Sequence, residues 1–225
     1  MDSSDQHPAG ADMAPRRGRI ETLLRNQRRF LLRPLNLGSR LLLLTAAVLI
    51  GASFFFPLWK MHLFAPQYEE GLSLYIFSYK IEGGGIGGAD LAEINNLNHY
   101  IGMKSLQKAD FVEMQWMPFV FGIIILLLLR AAVFGEMSNG VDVFALFSYF
   151  GVFSIASFYY RLYVYGHQLD PMAPMTIEPF TPLLIGSKQI ANFVQHSYPQ
   201  AAAYLLMAAV SCVILSIWFS RHEKA

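Results

Sequence analysis

Two short polar stretches of the chain combine histidine with methionine. The first, NHYIGM, places His99 four residues before Met103, and the second, HQLDPMAPM, contains His167, Met172 and Met175. Residues four apart lie on one face of an α-helix, so His99 and Met103 are predicted to point the same way. Because imidazole and thioether groups together suit Cu(I), these five side chains are candidate metal ligands, with copper as the predicted cofactor.

Other interpretations of these residues stay open. Methionine commonly fills irregular gaps in protein cores, and a histidine near a surface is commonly only solvated. A zinc site is less favoured, because HxxxH and HxH spacings are absent and Cys212 is the single cysteine. No haem is predicted, because none of the six histidines lies inside a long apolar run, where a haem between membrane helices would need one.

A third stretch, GSKQIANFVQHSY, predicts a short helix with Ser187 as its N-cap. On such a helix Lys188, Asn192 and His196 share one face, which makes them candidates for binding a partner or an anion. A solvated helix face is the alternative interpretation. The carboxylates of the polar segments are not paired in any catalytic arrangement, so the sequence predicts no enzyme activity.

Composition predicts an integral membrane protein that is mainly α-helical. Of the 225 residues 54% are hydrophobic and 15% charged, against about 25% charged in soluble domains. The net charge is only +1, so the overall charge does not indicate a nucleic-acid partner. Four apolar runs predict four transmembrane helices, since about 20 residues cross the hydrocarbon of a bilayer. These spans cover approximately residues 40–57, 117–135, 141–164 and 201–220.

Basic residues predict how these spans are oriented. Positive charge collects on the cytoplasmic side of membrane proteins. Arg130 stands near the short connection after the second span, Arg221 and Lys224 end the chain, and a series of arginines precedes the first span: Arg16, Arg17, Arg19, Arg25, Arg28, Arg29, Arg33 and Arg40. We therefore expect both termini in the cytoplasm and loops 58–116 and 165–200 outside.

The chain divides into three regions on this basis. Residues 1–15 are polar and are predicted to be a disordered arm. Residues 16–38 alternate leucines with arginines, which predicts a basic amphipathic segment that lies on the lipid of the cytoplasmic leaflet; a simple positive-inside anchor is the alternative. Residues 39–225 form the predicted four-helix membrane domain.

The two outer loops are predicted to pack together as one small cap of mixed structure. Residues 72–81 alternate in hydrophobicity, which predicts a strand. Residues 89–106 predict a helix with Asp90 as N-cap, and the spacing of its apolar residues predicts one buried stripe. That stripe consists of Leu91, Ile94, Leu97 and Ile101.

The stretches PLWKMHLFAPQYEEGL, INNLNHYIGMK and PLLIGSKQIANFVQHSYPQAAAYL resemble a family of four-span bacterial membrane proteins. That family is associated with gene clusters for nitrous-oxide reductase (Nos) maturation and for haem–copper nitric-oxide or oxygen reductases. The resemblance covers about a third of the chain and implies extracytoplasmic copper handling or a place in a respiratory complex. The matched positions are His99 and Met103, and Lys188 and His196.

Two functional hypotheses follow. The first is an accessory membrane protein that handles copper for, or assembles, a respiratory copper enzyme of nitrogen-oxide or oxygen reduction. Its partners would be membrane lipid and that redox enzyme or its maturation factors. The alternative is a non-catalytic structural subunit of a membrane redox complex that binds no metal. A transporter is less favoured, because the spans lack carboxylates near the middle of the membrane.

Overall fold

The computed structural model describes residues 13–190 and 193–221, which form helices and one β-sheet. The helices are α1 (Met13–Leu31), α2 (Leu37–Ser53), α3 (Asp90–Tyr100), α4 (Glu113–Phe134), α5 (Met137–His167) and α6 (Ala201–Ser220). The strands are β1 (Trp59–Ala65), β2 (Tyr68–Ile76), β3 (Ile81–Gly83), β4 (Gly186–Ile190) and β5 (Phe193–Pro199). Most of the predicted disordered arm lies outside the described residues, but α1 begins at Met13, inside the range predicted for it.

Three of the described helices are long and apolar enough to cross a membrane. They are α4, α5 and α6, with 22, 31 and 20 residues and mean hydropathies of 2.5, 1.7 and 2.2. The region predicted as the first span corresponds to α2, which is apolar but has 17 residues. The chain is therefore a mainly helical protein with features of a multi-pass membrane protein, and it carries a small antiparallel sheet.

Small residues allow α2 to pack closely on α6, and α2 also packs on α4. The Ser39 hydroxyl donates to the Ser216 carbonyl at 2.7 Å, and the Ser220 hydroxyl donates to that of Ser39 at 2.8 Å. Leu43 and Val213 are fully buried in the same bundle core. Such small polar residues let helix backbones approach closely in membrane proteins.

The segment before α2, the turn between α4 and α5, and the end of α6 meet at one end of the bundle. The Leu35 amide donates to the Gly135 carbonyl at 2.6 Å, and the Asn36 amide donates to the Ser220 hydroxyl at 3.0 Å. At the opposite end the Gln200 amide donates to the Leu58 carbonyl at 2.9 Å, where β1 follows α2 and β5 precedes α6. The sheet therefore lies at the end away from the arginine-rich segments.

The sheet has the strand order β3-β2-β1-β5-β4, and every pair is antiparallel. The first loop supplies three strands and the second supplies two, so the two outer loops do converge. The strand predicted within residues 72–81 is confirmed in part, because β2 ends at Ile76 and β3 begins only at Ile81. Residues 77–80 form a turn between them, in which the Phe77 amide donates to the Lys80 carbonyl at 2.8 Å. The helix predicted from Ser187 is wrong, because β4 and β5 form a hairpin there. Its buried residues, Phe193, Gln195 and Ser197, alternate with more exposed ones, which is the period of a strand.

The helix predicted over residues 89–106 is confirmed in part as α3, which ends at Tyr100. The chain turns at Gly102, whose φ of 79° is in the left-handed region that favours glycine. The predicted stripe is confirmed, since Ile94 and Ile101 are buried and pack with Leu91 and Leu97. Asp90 is the first helical residue rather than the N-cap, and its carboxylate accepts a hydrogen bond from the Ser73 amide at 2.8 Å.

Candidate functional site

The predicted pair of His99 and Met103 does not share a helical face. His99 is exposed in the last turn of α3, whereas Met103 follows the helix end. The Met103 side chain lines an apolar cavity of about 70 Å³ beneath the sheet, together with Met61 and Phe158. The thioethers of Met61 and Met103 therefore fill the protein core, as methionine does in many proteins.

The second predicted stretch lies directly against the first through backbone hydrogen bonds. The Asp170 amide donates to the Gly102 carbonyl at 2.8 Å, and the Met175 amide donates to the Tyr100 carbonyl at 3.1 Å. Gly102 is needed for this approach, because a Cβ there would lie 2.8 Å from the Asp170 carbonyl oxygen. The expected convergence of the two stretches is thus found at the level of the backbone.

The candidate metal ligands of these stretches nevertheless occupy different environments. Met175 is half-buried against the core under the sheet, whereas Met172 is 89% exposed. His167 is exposed at the end of α5, where its ring stacks on Tyr163 with centroids 3.9 Å apart. Among residues 13–190 and 193–221, no group of three or more histidine, cysteine, aspartate or glutamate side chains is placed to hold a metal ion.

Lys188 and His196 lie on opposite faces of the sheet, so the predicted face shared by Lys188, Asn192 and His196 is wrong. Lys188 pairs with the buried Gln195, and its ammonium donates to the Thr181 carbonyl at 3.1 Å. His196 pairs with Ser187 on the other face. Neighbouring residues alternate between the faces of a strand, which separates side chains that a helix would bring together. Asn192 lies outside the described residues.

The face of the sheet turned away from the helices, called the outer face below, carries a row of four polar side chains. Ser73, His62, His196 and Ser187 stand opposite one another on β2, β1, β5 and β4. His62 Nδ1 lies 2.7 Å from the Ser73 hydroxyl, and His196 Nδ1 lies 2.6 Å from the Ser187 hydroxyl. Each imidazole is therefore held by a serine of the next strand.

Aromatic rings surround this row. The Phe64 ring contacts the rings of both His62 and His196, with centroids 4.4 and 5.4 Å away, and Lys60 lies 5.4 Å from the centre of the Tyr75 ring. Phe64 is 40% exposed, and Tyr198 on the same face is 47% exposed. An exposed surface of aromatic rings with few charges is typical of the centre of a protein–protein interface.

The His62 ring is fixed over β2 rather than turned towards His196. A Cβ on Gly71 would lie 2.4 Å from its Nε2, and the φ of 73° at Gly71 also favours glycine there. The two imidazoles thus lean towards different neighbouring strands, and they do not form a ready chelating pair.

Burial lowers the pKa of the His62 imidazole below its usual value. The positive charges of Lys60 and His196 lower it further, while Asp90 and the Glu70 backbone act in the opposite direction. His62 is therefore neutral at neutral pH, and protonation of the row places two imidazolium groups and one ammonium group on adjacent strands.

A second polar cluster joins the cap to the helices. Glu113, the first residue of α4, accepts hydrogen bonds from the Ser157 hydroxyl and from Arg161 Nε, the latter at 3.2 Å. Next to it, Asp110 pairs with Lys104 and accepts a hydrogen bond from the Tyr165 hydroxyl at 3.2 Å. These contacts fix the ends of α4 and α5 to the loop that follows α3, which gives the cluster a positioning role.

The sequence does indicate the outer face through residues that alternate with a period of two, but this alternation is missed when the stretch GSKQIANFVQHSY is interpreted as a helix. In WKMHLFA the residues Lys60, His62 and Phe64 alternate with buried ones, and QHSYP alternates in the same way. The facing of His62 and His196 depends on the register between β1 and β5, which the sequence pattern does not specify.

Comparison with protein-family models and with curated proteins found no match to this chain. The resemblance to the Nos-associated family therefore stays a prediction.

Proposed function

We propose that this chain is an accessory membrane protein of a respiratory copper enzyme, acting in copper handling for that enzyme or in its assembly. In this proposal α2, α4, α5 and α6 all cross a bacterial inner membrane, both termini are cytoplasmic, and the sheet is extracytoplasmic. This topology is supported by three segments that meet at one end of the bundle: the arginine-rich segment, the α4–α5 turn and the end of α6.

The outer face of the sheet is the observation that carries the proposal. It presents Phe64, Tyr198 and two imidazoles to solvent on a rigid antiparallel scaffold, away from the helices. Aromatic groups on a rigid element bind a protein partner with little loss of conformational entropy. The expected partner is the extracytoplasmic part of a nitrogen-oxide or oxygen reductase, or one of its maturation factors; nucleic acid is not an expected partner.

The proposed docking is tested by purifying the tagged full-length chain from its native membranes in mild detergent. Phe64→Ser and Tyr198→Ser each remove an aromatic side chain from the outer face, so we expect roughly a tenfold loss of the co-purified copper enzyme. Ile86→Ser is the control, because Ile86 is 98% exposed but lies in the segment between β3 and α3 rather than on β1 or β5. Equal recovery of the enzyme with all three variants, or recovery of no copper enzyme with the unaltered chain, would sink the proposal.

The copper-handling part of the proposal rests on the donors that stay at the surface: His99, His167 and Met172. Titration of the purified chain with Cu(I) against a chromophoric chelator should show binding that the His99→Ala/His167→Ala/Met172→Ala variant loses. His62→Ala/His196→Ala serves as the control pair on the outer face. Unchanged stoichiometry in the first variant would exclude His99, His167 and Met172 as ligands.

The alternative is a structural subunit that binds no metal, and the packing of Met103 and Met175 in the core favours it. Under this alternative the same purification yields the partner complex, while the isolated chain takes up no Cu(I) at all. Neither function assigns a catalytic residue to the chain.

A further inference from the structure

One face of α5 has no partner in the bundle. Asp142, Ala145, Tyr149, Val152 and Ala156 are all exposed, and their spacing of three and four residues makes one continuous stripe. Tyr149 is 74% exposed and Val152 71%. Within the most apolar window of α5 17% of residues are buried, compared with 22% in α6 and 33% in α4. The five exposed residues from Asp142 to Ala156 are called the α5 stripe below.

The antiparallel contacts between α4 and α5 place Tyr149 near the middle of the membrane. Phe150 contacts Phe121, in the middle of α4, with ring centroids 5.5 Å apart. The outer end of this helix pair is marked by Glu113 and Arg161, and its inner end by the turn before Met137. At 1.5 Å per residue Tyr149 lies roughly 18 Å from Met137, near the centre of a hydrocarbon layer about 30 Å thick.

Two polar side chains of the α5 stripe have no partner among the described residues. The Tyr149 hydroxyl makes no hydrogen bond to any described residue, and hydrocarbon offers it none. Asp142, seven residues earlier on the same face, forms no ion pair with the residues that the structure describes. A polar side chain within a membrane normally finds a partner on a neighbouring helix.

We propose that the α5 stripe docks against a transmembrane helix of a different membrane protein. That helix carries a hydrogen-bonding side chain at the depth of Tyr149 and a lysine or arginine at the depth of Asp142. A second copy of this chain fits less well, because a symmetric parallel pair of α5 helices places one Asp142 carboxylate beside the other. The inference rests on the proposed accessory role and adds to it a contact inside the membrane.

Photo-crosslinking in native membranes tests this docking. A photoreactive amino acid at Val152 of the full-length chain should form an adduct with one partner protein. The same group at Leu126, which is 67% exposed on α4, should label only lipid. Tyr149→Phe retains the ring and removes the hydroxyl, so we expect roughly a threefold to tenfold lower adduct yield from Val152. Asp142→Asn should lower the yield in the same direction.

Three results would overturn the inference: lipid adducts alone from Val152, adducts with a second copy of this chain, or a yield that Tyr149→Phe leaves unchanged. The purification described above separates this failure from failure of the proposed function. If the copper enzyme still co-purifies while Val152 labels only lipid, the accessory role stands and the α5 contact is excluded. If no enzyme co-purifies and Val152 labels a different protein, the α5 contact stands without the proposed partner.

Discussion

His62 and His196 face each other across neighbouring strands, yet each is bound to a serine on the strand beyond it. The outer face therefore holds two imidazoles at fixed positions without a metal between them. Their charge state decides the character of the face. Neutral imidazoles give an aromatic surface, whereas protonated ones place positive charges beside Lys60.

The lowered pKa of His62 predicts that acid destabilises the sheet. Since the folded state binds a proton at His62 less readily than the unfolded state does, this contribution to stability is complete above the usual histidine pKa of about 6.5 and is lost as the pH falls through the lowered pKa. The thermal midpoint of the sheet, measured in detergent between pH 8 and pH 5, should therefore fall with pH. His62→Gln should flatten the profile. A profile that His62→Gln leaves unchanged would assign the pH dependence to other groups.

At the scale of single elements, the turn after α3 controls how the two outer loops meet. Gly102 combines a left-handed backbone with close contact to Asp170 and Ala173. Gly87 has a similar φ of 67° but lies in open space, where a Cβ would meet nothing within 4 Å. A substitution at Gly87 would therefore introduce backbone strain alone, whereas one at Gly102 would introduce both backbone strain and a steric clash.

Gly102→Ala should destabilise the cap more than Gly87→Ala. Both alanines suffer the left-handed backbone, which costs roughly 1–2 kcal/mol. Only the alanine at position 102 also collides with the second loop, which adds roughly 1–3 kcal/mol. Denaturant unfolding followed by tryptophan fluorescence measures the difference, because Trp59 lies in the sheet. Equal effects of the two substitutions would mean that the loops separate easily at this contact.

Hydrophobic patterns in the sequence predict those helices and strands that are determined by their own residues rather than by a distant partner. The long apolar runs of α4 and α6 and the alternation in β2 are visible in the sequence. The hairpin of β4 and β5 has the sequence pattern of a helix as well, because Ile190, Phe193 and Val194 are spaced like one helical face. Pairing with β1 decides in favour of strands, and that partner is distant in the sequence. The core positions of Met103 and Met175 depend on the same pairing. The sequence alone therefore does not show whether these methionines pack in the core or bind a metal.

At the scale of the whole molecule, the topology is testable through single cysteines. In a Cys212→Ala background, a membrane-impermeant maleimide should label Ile86→Cys on intact cells. Gln27→Cys, before α2, and Glu136→Cys, in the α4–α5 turn, should be labelled only after the cells are opened. Labelling of both Gln27→Cys and Ile86→Cys on intact cells would show that α2 does not cross the membrane.

The central position of β1 also constrains the biosynthesis of the protein. β1 is translated early, directly after α2, but one of its two neighbours is β5, near the end of the chain. At elongation rates of roughly 5–20 residues per second the interval is on the order of ten seconds, during which one edge of β1 has no strand to pair with. An exposed strand edge can pair with foreign chains, so the nascent protein needs a chaperone or rapid translation until its last hairpin has been synthesised. A ribosome that stalls before β5 would leave an aggregation-prone membrane protein with an open sheet.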